Sequence, residues 1–142
     1  MADLYPNINP NIKDERGKHQ LVKDEALIAT AAGAVVRGQP VQMNTPAGGG
    51  IPTCQTAAAG AEAYAVMEDA AAGALVRVRM IGHAPFRTTT AMATGTRVMA
   101  GGANFWIAHV AGAGNYYGGR LQDASSGVAN HIVSAWVERG EA

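Results

Sequence analysis

The chain is short of most residues that carry covalent or ionic chemistry. It has one cysteine, Cys54, in 142 residues, which excludes an intramolecular disulfide and a cysteine-rich metal cage. Charged residues make up 15% of the sequence and balance at 11 basic against 11 acidic, so the basic excess that general nucleic-acid binding needs is missing. No apolar run approaches the length that crosses a bilayer. The opening "MADLYPNINPNIKDERGKHQ" also lacks the positive-then-apolar layout of a secretory signal. The expectation is a protein made in a cytoplasm, with neither nucleic acid nor membrane among its partners.

Large apolar side chains are scarce as well. The hydrophobic fraction of 48% is swollen by alanine, and only 26 residues are Leu, Ile, Val or Phe. At zero net charge this composition reads as a thin core rather than a disordered chain. A thin core that still folds often draws stability from neighbouring copies, so an oligomer is expected.

Glycine is what the chain has in abundance: 18 residues, several of them in pairs or triplets. They supply the positive-φ positions that tight turns demand. Between them lie short stretches of β-type residues, predicted as strands at 27–30, 35–43, 63–67, 76–81, 96–99, 105–110 and 131–137. The clearest is "VRVRMI" at 76–81, where Val76, Val78 and Met80 fall on one side and Arg77 and Arg79 on the other. The Ala-rich "AEAYAVMEDAAA" at 61–72 competes as a helix. It offers too few large apolar groups to fix a helix to a core, so strand followed by turn is favoured. The pattern is all-β, a small barrel or sandwich making up residues 21–142.

Residues 1–20 differ in kind. Pro6 and Pro10 stand between asparagines, and a charged run follows, which favours an extended backbone with no core of its own. Leu4, Tyr5, Ile8 and Ile12 are more apolar than a solvated tail requires, so this N-terminal arm is expected to lie against another surface.

Candidate chemistry is thin. "PAGGGIPTCQT" lacks the lysine and hydroxyl residue of a phosphate loop. The histidines His19, His83, His109 and His131 show no metal-ligand spacing. Cys54 sits in a loop-like stretch and reads as a small apolar filler, and "DASSG" at 123–127 reads as a turn rather than a nucleophile elbow. We expect no catalytic residue, metal or cofactor, and a structural or binding module rather than an enzyme. "AAGAVVR" at 31–37 and "AAGALVR" at 71–77 are nearly the same. Both read as a turn leading into a strand, with their arginines available to a partner.

The order of motifs from residue 24 to residue 139 resembles the phage capsid cement, or head decoration, proteins. The resemblance rests on "RGQPVQM" at 37–43, "AVMEDAAAGALVRVRMIG" at 65–82, "GTRVMA" at 95–100 and "GGRLQDASSGVANHIVSAWVE" at 118–138. It spans about four fifths of the chain. The aromatic insert "NFWIAHVAGAGNYYGG" and the arm depart from the family pattern. The resemblance implies a β-barrel or β-tulip-like domain that assembles as a homotrimer. It also implies attachment to the exterior of an expanded virion capsid, where the trimer binds the major capsid protein and bridges its subunits. On that reading the arm residues Leu4, Tyr5, Ile8 and Ile12 contact the capsid or an adjacent trimer, and Arg77, Arg79, Trp106, Tyr116 and Tyr117 are interface candidates. A reading from another class is a carbohydrate-binding β-sandwich adhesin that uses Trp106, Tyr116 and Tyr117 as a stacking platform.

Overall fold

The computed structural model describes residues 25–46 and 48–141. They form eleven strands, and no helix occurs among them: β1 (Glu25–Ala31), β2 (Pro40–Asn44), β3 (Thr53–Thr56), β4 (Tyr64–Val66), β5 (Leu75–Thr88), β6 (Ala91–Met92), β7 (Arg97–Ala100), β8 (Trp106–Ala108), β9 (Tyr116–Leu121), β10 (Ser125–Ser126) and β11 (His131–Glu141). The expected all-β barrel is present. The boundary of the arm falls outside the described residues.

The pairings close two rings on one shared strand. β1, β3, β2 and β4 follow one another and both ends of this series pair with β5; β11, β9, β7 and β8 do the same. The first ring uses the front half of β5, with Thr30 opposite Leu75 and Glu25 opposite Ile81. The second uses the rear half, with Val137 opposite Gly82 and His131 opposite Thr88, and it closes through Thr88 and Trp106. Gly82 stands where the neighbours change. Its φ of 112° is a conformation that side-chain-bearing residues rarely adopt. β6 and β10 make a small separate ribbon.

Each ring has its own core. The first is filled by Ala29, Ala31, Val35, Val41, Cys54, Val66, Val76 and Val78, with nothing larger than valine fully inside. The second holds the bulk: Phe86, Trp106, Leu121, Met92 and three valines, with alanines filling between them. Phe86 and Trp106 stack with ring centroids 4.2 Å apart and planes inclined by 12°. The buried Trp106 Nε1 donates to the carbonyl of Gly38 at 2.9 Å. Two glycines of β9 make room for the stack: a Cβ at Gly119 would come within 2.6 Å of the Phe86 ring, and one at Gly118 would meet Trp106. A scarcity of large side chains is therefore compatible with a closed core, because the barrel is narrow and alanine fits it.

Several expectations are corrected. The stretch 35–43 is not one strand: Val35 makes an isolated bridge to Ala70, the chain turns at Gly38 with φ 87°, and β2 begins at Pro40. "AAGAVVR" is thus the exit from β1, not a turn into a strand, whereas "AAGALVR" does turn at Gly73 into β5. The two similar stretches lie against each other. Ala31 donates to the carbonyl of Ala74 at 2.9 Å, and Gly73 donates to that of Ala31 at 2.7 Å. The loop expected around Cys54 is β3, where Cys54 faces inward as a filler. The strand expected over 105–110 is confined to Trp106–Ala108. The aromatic-glycine stretch at 116–121 is β9, paired with both β11 and β7.

Candidate functional site

The expected alternation of "VRVRMI" is observed over its first three residues, where Val76 and Val78 are buried and Arg77 is exposed, whereas Arg79 and Met80 are both half-buried. Arg77 is engaged within its own chain. Its Nη2 lies 2.8 Å and its Nε 3.2 Å from Glu68 Oε1, and the Arg77 amide donates to Glu68 Oε2 at 3.1 Å. These bonds hold the Glu68 carboxyl below its ordinary pKa and raise that of Arg77. Arg79 donates from Nε to the carbonyl of His83 at 2.9 Å. The outer face of the first ring around Arg77 is partly apolar. Ile28 is directly opposite Arg77 across the β1–β5 pair, and Ile28 and Leu75 are 47% and 59% exposed. Ile51, just before β3, is exposed as well.

The aromatic candidates separate. Trp106 is wholly buried, which corrects its reading as an interface or stacking residue: the pyrrole N–H is spent on Gly38 and both ring faces are enclosed by protein. Tyr116 and Tyr117 are adjacent on β9 and half-buried. Arg97 lies over the Tyr117 ring, 4.5 Å from its centroid, and His109 meets it edge-on at 5.7 Å. A cation seated on that face occupies the surface a sugar ring would use. Leu4, Tyr5, Ile8 and Ile12 lie outside the described residues.

The remaining candidates have structural partners. Cys54 is buried in the first ring and burial pushes its thiol pKa up, the reverse of what a nucleophile needs. His131 Nδ1 is 3.2 Å from both the amide and the hydroxyl of Ser126, a lock on the turn before β11. Among the described residues no group of three His, Cys, Asp or Glu side chains is placed to hold a metal.

Sequence reasoning missed a groove of about 450 Å³ where the first ring meets the outer face of β5 and β11. Arg37 and His83 line it together with Met67, Pro85, Ile132 and Ser134. The one sequence signal for it was Arg37, which closes the first of the two similar stretches. Arg87 bonds to the backbone beside it: its Nε donates to the Arg37 carbonyl at 3.3 Å and its amide donates to that of Gly38 at 2.9 Å.

No family model and no curated protein matches this chain. Solved structures do match. One is the crystal structure of the head fiber gp8.5 N base of bacteriophage phi29, with a TM-score of 0.63 and 13% sequence identity over 82% of this chain and 95% of that one. The likeness is one of fold, and it takes in nearly the whole of the phage domain.

Proposed function

We propose that this chain is a structural protein of a phage head: a cement, or decoration, domain that sits on the outside of the expanded capsid as a homotrimer and ties neighbouring major capsid proteins together. The observation that carries the reading is the fold shared with a head-fibre base over 95% of that domain. The motif order from 24 to 139 points to the same kind of particle independently. The exposed face bearing Ile28, Leu75 and Arg77 suits a protein that works by contact. In this reading the chain is made in the host cytoplasm and ends on the virion exterior. Residues 1–20 add contacts through Leu4, Tyr5, Ile8 and Ile12.

The mechanics are those of avidity. A three-fold symmetric assembly presents each contact three times, and linked contacts exceed a single one by about 10²–10⁴ in affinity. Modest surfaces then hold firmly to a lattice and weakly to free subunits. The glycan-binding reading loses ground because its central residue, Trp106, is in the core. The test is the copy number and position of the protein in purified particles, with light scattering of the free protein for its mass. Decoration of expanded, DNA-free heads by added protein of trimeric mass is the expected result. Absence from purified particles together with a failure to bind expanded heads overturns the reading.

A further inference from the structure

We infer that the groove between the rings is a docking site for an extended acidic peptide segment of a partner protein, one that alternates carboxylate and aliphatic side chains. On the proposed function that segment belongs to the capsid shell, and this last step rests on that reading.

Charge is the first ground. Arg37 lines the groove; Arg87 is hydrogen-bonded to the Arg37 carbonyl, and Arg79 to the carbonyl of His83, which also lines it. Among the described residues the ion pairs are Arg77–Glu68 and Arg120–Glu138, so none of these three guanidiniums has an ion-pair partner among them. Asp69 Oδ1 accepts from the Arg37 amide at 2.7 Å and has no ion-pair partner among the described residues. In a chain of zero net charge, Arg37 in the lining, with Arg79 and Arg87 bonded to the carbonyls of two lining residues, gives this place a cationic character that favours carboxylates.

Shape is the second. Met67, Pro85 and Ile132 give the groove an apolar wall, so a ligand that is only an anion leaves that surface wet. An alternating segment places carboxylates at the arginines and aliphatic groups on the wall. Backbone pairing along β5 is closed to the guest: Pro85 has no N–H, the His83 carbonyl is taken by Arg79, and the Arg87 amide is taken by Gly38. Recognition therefore runs through side chains.

The test is a titration of the full chain, followed by amide NMR, with a hexapeptide alternating glutamate and leucine. Its glutamine counterpart and tripolyphosphate are the comparison probes. The expected result is perturbation of Gly38, Ala84 and Ser134 by the glutamate peptide, weakened about tenfold when salt rises from about 0.05 to about 0.5 M. Arg37→Glu and Ser134→Glu, both in the lining and both exposed, are each expected to lower affinity about tenfold. Equal binding of the glutamine peptide, tighter binding of tripolyphosphate, or no perturbation at these amides overturns the inference. Sedimentation with expanded heads separates the two readings. Wild-type protein that binds the peptide but not heads refutes the proposed function alone. An Arg37→Glu protein that decorates heads as well as wild type refutes the groove as the contact.

Discussion

Replacing Trp106 by phenylalanine tests how the second ring is held. The substitution removes the indole N–H that donates to Gly38 at 2.9 Å. The Gly38 carbonyl keeps its bond from the Arg87 amide, so the loss is one buried hydrogen bond, about 1 kcal/mol, without a fully orphaned acceptor. The smaller ring also leaves a void above Gly118 and beside Phe86, which costs about 1–2 kcal/mol. The sum is about 2–3 kcal/mol. With a urea m-value of about 1.5–2 kcal/mol/M for a chain of this size, the unfolding midpoint falls by about 1–2 M. Far-UV circular dichroism is the readout, because the substitution removes one of the two tryptophans. Trp106→Leu paired with Phe86→Leu in a double-mutant cycle isolates the stack, expected at about 0.5–1.5 kcal/mol. Native-state hydrogen exchange at the Arg87 amide, which shares the Gly38 acceptor, is expected to quicken. A midpoint shift below about 0.3 M refutes the claim that this stack and its hydrogen bond organise the ring.

Two further outcomes follow from the same geometry. Glu68 has its carboxyl pKa lowered by Arg77, so the stability this pair supplies is present above the ordinary carboxylate pKa and is lost as pH falls through the lowered folded value; Glu68→Gln is expected to flatten that acid limb in urea unfolding measured across pH, and high salt to do so in part. Gly119→Ala puts a Cβ within 2.6 Å of the Phe86 ring and 2.7 Å of the Trp136 carbonyl, and is expected to destabilise by about 3 kcal/mol or more. Gly114→Ala, at φ 81° but in open space, should cost only about 1 kcal/mol; equal thermal shifts for the two would count against the packing account.

Residues whose environment repeats along a strand were legible in the sequence. Val76, Arg77 and Val78 alternate because one face of β5 is core and the other is not, and period-two patterning carries that information directly. The strands that carry Cys54 and Tyr117 were not legible, for a common reason. They are four and six residues long, too short or too rich in glycine for periodicity to rise above the loops around them. Gly118 and Gly119 read as turn glycines, yet they are flat to admit two aromatic rings from other strands, a long-range fact that local sequence does not hold. Trp106 misled for the same reason: its partners, Gly38 and Phe86, lie far away along the chain. The groove escaped notice because its lining comes from a turn, Arg37, and from strands far along the chain, Pro85 and Ile132, and only the shared strand brings them together.

That shared strand also decides how the domain bears load. Glu25, at the start of β1, pairs with Ile81, and Val137, toward the end of β11, pairs with Gly82, so both outer strands are anchored at the midpoint of β5. β1 runs from there toward the front of β5, and β11 arrives there from the rear. A pull on the outer ends of β1 and β11 therefore drags them along β5 in opposite directions, parallel to the strand axis. The rungs of each pairing are sheared together instead of being peeled one by one, and the tension passes through the middle of a single covalent segment. The geometry is that of a lap joint, in which resistance grows with the number of rungs that must fail at once.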